Sequence, residues 1–96
     1  MRYFIYVNTT RLTITVHCEK ANSCGEIMKK LVTRNSQSKI IGVGNTKSII
    51  KMGITSNGFW LSVYGIRCPI NTNDILKIVK QTTSKVFHPA NVSVHC

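Results

Sequence analysis

Near the start of the chain, apolar residues recur at every second position. Tyr3, Ile5 and Val7 fall on one side of an extended segment, and Leu12, Ile14 and Val16 on one side of a second. Successive side chains of a strand point to opposite faces, so each run predicts a half-buried strand, and the polar link Asn8 to Arg11 predicts a hairpin. Pairing Val7 with Leu12 would gather all six apolar residues on one face and leave Arg2, Phe4, Tyr6, Thr13, Thr15 and His17 on the other.

The period then changes. Ser23-Cys24-Gly25-Glu26 is a capping-box pattern, in which the Ser hydroxyl and the Glu carboxylate satisfy backbone N–H groups at a helix start. Ile27, Met28, Leu31 and Val32 follow at helical spacing and predict a helix near 24–34, with Lys29, Lys30 and Arg34 outward. Three strands come next, because Gly44-Asn45 and Asn57-Gly58 each supply the positive φ of a two-residue hairpin turn. The first turn pairs Val43 with Thr46 and Ile41 with Ser48. The second pairs Ser56 with Phe59, Ile54 with Leu61 and Met52 with Val63. Both registers place Ile41, Val43, Ile50, Met52, Ile54, Leu61 and Val63 on one face, and Lys47, Lys51, Trp60, Tyr64 and Ile66 on the other. Cys68-Pro69 ends the third strand. Asn71 or Thr72 caps a second helix with Asp74 in its first turn, where the dipole favours an acid. Ile75, Leu76 and Val79, extended by Val86, form its apolar stripe; Lys77, Lys80 and Ser84 face out, and His88-Pro89 stops it. Residues 91–95 alternate weakly and fit a short edge strand. The predicted order is ββ-α-βββ-α with an optional final β. This is an α+β class: an antiparallel sheet, made of the N-terminal hairpin and a three-stranded meander, packed by two helices in one small basic domain over 1–96.

Charge changes the picture from fold to partner. The 96 residues carry 13 Lys and Arg against 3 Asp and Glu, a formal net charge of +10. A surface built for solubility mixes both signs, so this excess points to an anionic partner. Nucleic acid comes first, then an acidic protein or a membrane surface, although no apolar stretch is long enough to cross a bilayer. The N-terminal apolar run lacks a small-residue cleavage site and reads as a strand. With no secretion signal, Cys18, Cys24, Cys68 and Cys96 are expected as reduced thiols in the cytoplasm. On the same argument, the acceptor patterns Asn8-Thr9-Thr10 and Asn91-Val92-Ser93 are chance matches.

Candidate chemistry is sparse. Trp60 and Tyr64 lie beside Lys51, and Phe4 and Tyr6 beside Arg2, a mixture that nucleic-acid platforms use; burial of the same aromatic faces is the alternative. His17-Cys18, Cys24 and His95-Cys96 could converge on zinc, but they lack metal-ligand spacing, so no metal and no cofactor is expected. There is no paired carboxylate, no P-loop and no Ser or Cys set beside a base, which argues against an enzyme. Residues 23–86 run α-β-β-β-α, an order seen in double-stranded-RNA-binding folds and in HicA-type mRNA interferases. Those toxins carry a His on the first strand of the unit, and Lys39 to Val43 has none. Cys68-Pro69 reads as a strand stop, with Pro69 a minor candidate for a prolyl isomerase.

In size, in its Lys/Asn/Ile/Ser/Thr-rich makeup and in its lack of enzyme motifs, the chain resembles the small accessory proteins of enterobacterial phages. That class includes the anti-RecBCD proteins of lambdoid phages. The resemblance implies a non-enzymatic protein that binds a host DNA-processing enzyme and alters it, and it carries over no site residues. From charge and side-chain type, the expected contacts are Lys29, Lys30, Arg34, Lys51, Lys77 and Lys80 for anions, with Trp60, Tyr64 and Arg67 as anchors. A DNA- or RNA-binding regulator and an mRNA-interferase toxin are the alternatives.

Overall fold

β1 (Arg2–Asn8) is apolar on both of its sides, and that decides its place. Tyr3, Ile5 and Val7 on one face and Phe4 on the other are at most 2% exposed. A strand buried on both faces belongs inside a sheet, not at its edge. In the computed structural model, which describes residues 2–18, 38–43, 46–66 and 69–95, β1 lies between β5 (Gly58–Tyr64) and β2 (Thr13–Cys18). β3 (Ser38–Val43), β4 (Thr46–Thr55) and β6 (Val92–His95) complete one six-stranded sheet in the order β3-β4-β5-β1-β2-β6. Every neighbouring pair is antiparallel except β2–β6, which is parallel.

This corrects the expectation of an antiparallel sheet packed by two helices. The described residues are mostly sheet, the sheet is mixed, and they hold a single α-helix, α1 (Thr72–Lys80). The helix predicted near 24–34 lies outside the described residues. The parallel pair arises because β6 does not return by a tight turn. A parallel neighbour needs a crossover connection, and α1 with the irregular chain after it supplies one before β6 docks beside β2.

α1 starts where expected: the Asn71 side chain accepts from Asp74 N at 2.9 Å. It ends earlier than expected. The N–H groups of Gln81, Thr82 and Thr83 bond back to the Lys77, Ile78 and Val79 carbonyls, and a hydroxyl-rich run follows. Ile75, Ile78 and Val79 therefore form the buried stripe, and Val86 is left 85% exposed. The stripe packs on the sheet face that carries Tyr3, Ile5, Ile14, Val16, Ile50, Leu61 and Val63, with Phe87 and Ile70 joining the same core. Tyr3 Oη accepts from Ile70 N at 3.4 Å, tying the segment before α1 to the central strand.

The β3–β4 register is the one the Gly44-Asn45 turn predicts, with Val43 opposite Thr46 and Ile41 opposite Ser48. The other two hairpins keep the predicted faces but shift. Val7 pairs with Ile14, not Leu12, because Asn8 Oδ1 accepts from Thr10 N and Arg11 N at 3.0 and 2.9 Å and lengthens the turn. Leu12 is pushed into the loop at φ +57°, a left-handed conformation costly to a residue with a Cβ. In the β4–β5 hairpin Thr55 pairs with Gly58 and Ile54 with Phe59, so the turn is Ser56-Asn57. A shift of two residues leaves every side chain on its predicted face. Gly58 is a strand residue opposite Asn8 of β1, and a Cβ there would collide with the Val7 carbonyl oxygen. Gly65 (φ +91°) turns the chain off the sheet, so Ile66 enters the core and does not continue the opposite face.

Cys18, 6% exposed at the end of β2, is disulfide-bonded, which corrects the expectation of reduced thiols; its partner lies outside the described residues.

Two substitutions test these backbone assignments. Leu12→Gly removes the left-handed strain at a partly exposed site and is expected to raise the stability by about 0.5–1 kcal/mol in urea unfolding. Gly58→Ala forces β1 and β5 apart and is expected to cost about 2 kcal/mol or more, read as a lower urea midpoint with an unchanged slope.

Candidate functional site

The face of the sheet opposite α1 carries Arg2, Phe4 and Tyr6 of β1 and Trp60, Ser62 and Tyr64 of β5, set in rungs: Arg2 with Tyr64, Phe4 with Ser62, Tyr6 with Trp60. The inner part of this array is closed. Trp60 is 8% and Phe4 0% exposed, and the Tyr6 and Trp60 rings are 4.8 Å apart. His17 of β2 extends the cluster, 5.9 Å from Trp60 and 5.6 Å from His95 on β6. Burial is thus the outcome for the aromatic platform that sequence left open, and Trp60 presents no free ring face for a base.

The outer part of the same face is open. The registers align Ile40 of β3, Ile49 of β4, Tyr64 of β5 and Arg2 of β1 in one transverse row. Ile40 is 69%, Ile49 47% and Tyr64 36% exposed. Directly opposed residues have Cβ atoms about 5 Å apart, so the row is a continuous apolar strip. Arg2 closes its end: the guanidinium sits 4.3 Å from the Tyr64 ring centre and 4.8 Å from that of Phe4, and Nε donates to Ser62 Oγ at 2.9 Å. Lys47 and Lys51 stand two residues before and after Ile49 on the same face of β4. Neither is ion-paired, and the only acid among the described residues is Asp74, on α1. The strip is therefore apolar along its length, with a lysine on either side of Ile49 and Arg2 at its end.

Of the residues singled out from sequence, Lys51 and Tyr64 meet here. Trp60 lies on the same face but is buried. Lys77 and Lys80 are exposed on α1, on the other side of the sheet, and so belong to a separate basic surface. There Lys80 and Lys85, with Leu76, Thr83, Ser84, Val86 and Phe87, line a cavity of about 320 Å³, and Lys85 Nζ donates to Thr9 O at 3.0 Å. Lys29, Lys30, Arg34 and Arg67 lie outside the described residues. Pro69 is exposed. Ile40 and Ile49 were missed, although the doublets Ile40-Ile41 and Ile49-Ile50 signal them: in a strand one member of each doublet must face away from the core.

No family model, no curated protein and no solved structure matches the chain. No helix among the described residues is long and apolar enough to cross a membrane.

His17 adds a titration to this face. Burial, and then the neighbouring His95, hold its pKa below the ordinary 6.5. The folded state thus binds fewer protons than the unfolded chain, so this contribution is complete above pH 6.5 and is lost as pH falls through the depressed folded value. Urea midpoints measured from pH 8 down to pH 5 should fall below about pH 6.5. His17→Gln should flatten that part of the profile.

Proposed function

We propose that the protein is a non-enzymatic binding module that docks on an acidic protein surface through the Ile40–Ile49–Tyr64 strip and its flanking Lys47 and Lys51. One observation carries this reading: the most exposed residues of the strip, Ile40 and Ile49, are aliphatic, while Trp60 and Phe4 on the same face are buried. Single-stranded nucleic acid is gripped by open aromatic faces alternating with cations. Isoleucines offer no stacking face, and one face of Tyr64 is already covered by Arg2. Aliphatic contact ringed by charge is the arrangement of a protein–protein interface, with an apolar centre and a polar rim. The mechanism is occupancy: the module covers a surface its partner needs. A nucleic-acid-processing enzyme altered in this way is the partner class that the resemblance to phage accessory proteins suggests.

The test is an affinity capture from lysate of the native source, with and without nuclease digestion. The bait is compared with Ile49→Glu, whose exposed site tolerates the change, and with Lys77→Glu/Lys80→Glu. A protein retained after digestion, with binding weakened at least about tenfold by Ile49→Glu and little by the helix variant, is the expected result. Recovery of nucleic acid and its binders alone, all lost on digestion, would replace this reading with direct nucleic-acid binding.

A further inference from the structure

The parallel pairing of β2 with β6 sets His17 directly opposite His95, two residues that stand far apart in sequence. Their rings are 5.6 Å apart, centre to centre, and inclined by only 23°. His17 Nδ1 is buried without a hydrogen-bond partner, and no described acid faces the pair. Side-by-side imidazoles gain little from each other when neutral and repel when both are protonated, so packing alone is a poor account of the arrangement.

Two imidazoles are a natural pair of ligands for zinc and its neighbours in the transition series. With metal–nitrogen bonds of about 2.0–2.1 Å, two rings on one tetrahedral ion have centres roughly 5 Å apart. The observed centre-to-centre separation of 5.6 Å is near that value. His95 is exposed, which gives an ion access from solvent. One step back along the strands, Thr15 and Ser93 face each other on the same side and can hold water bound to the ion.

We propose that His17 and His95 form a two-imidazole site for a divalent late transition-metal ion, Zn²⁺ in the first instance, with water completing its coordination. The ion staples the edge strand β6 to β2. The site is independent of the Ile40–Ile49–Tyr64 strip and stands or falls without it.

The experiment is calorimetric titration of the intact, non-reduced chain with ZnCl₂ after alkylation of any free thiols, with thermal unfolding measured alongside. One equivalent of Zn²⁺ is expected to bind and to raise the unfolding midpoint by mass action. His95→Gln, at an exposed position that should not disturb folding, is expected to weaken binding at least about tenfold and to abolish the midpoint shift. His88→Gln should change neither, since His88 Nδ1 already accepts from Ala90 N at 3.0 Å. Undiminished binding by His95→Gln, or no binding by the parent chain at millimolar Zn²⁺, would overturn the proposal.

Discussion

The fold depends on the pairing of β1 with β5 and β2, because β1 joins them inside the sheet and, like β5, is sealed on both faces near its centre. Its core-facing residues Tyr3, Ile5 and Val7 meet Val63, Leu61 and Phe59 across one ladder and Cys18, Val16 and Ile14 across the other. Burying such side chains contributes about 1.5–3 kcal/mol each, so a slip of one residue would expose the core set and is strongly disfavoured. The constraint reaches outward. Gly58 is required because the β1 backbone passes too close for a Cβ, and the turn before β5 must then be Ser56-Asn57. Trp60 is laid against Tyr6 by the same register, and Arg2 is delivered to the end of the row that begins at Ile40.

What could be read from sequence was what depends on near neighbours. Period two assigned the faces of β1, β2, β4 and β5, and those faces hold. The Gly44-Asn45 turn specified its own register. Each error followed a repeating pattern at a residue where another interaction, near or distant in sequence, decides the outcome. Asn57-Gly58 matches a two-residue turn, yet Gly58 is set by β1, which precedes it by some fifty residues. Leu12 continues the alternation of Ile14 and Val16, yet the Asn8 side chain reorganises the loop and leaves Leu12 at positive φ. Val86 fits the spacing of the helical stripe but lies beyond the end of α1. The parallel docking of β6 has no local signature, because a four-residue strand gives no hint of its neighbour. His17 and His95 were set aside as zinc ligands for a related reason: metal-ligand spacing is a pattern along the chain, and these two residues are brought together by the sheet.

The candidate docking face shows how one face of a sheet can be both core and contact surface. Towards β2 it is closed by rings, and towards β3 it is open and aliphatic. Composition suggested that aromatic residues beside lysines would be the contact, since that mixture binds nucleic acid. The structure separates the two. Phe4 lies on the central strand and Trp60 on its neighbour, where burial is greatest, and both contribute stability; Ile40 and Ile49 lie on β3 and β4, further out, where exposure is greater. Position in the sheet, not residue type, decides which apolar side chains remain for a partner.

The two basic surfaces then differ in kind. Lys77 and Lys80 project from the outer side of α1, where an attraction rests mainly on charge and is screened by salt. Lys47 and Lys51 flank an apolar strip, where a partner that covers the strip also excludes water from around the charges and strengthens their attraction. Charge alone makes a surface that attracts many anions weakly. Charge around a shaped apolar row favours a partner that presents an apolar ridge between acids, and that selectivity is why the strip, not the helix, is the better basis for a specific function.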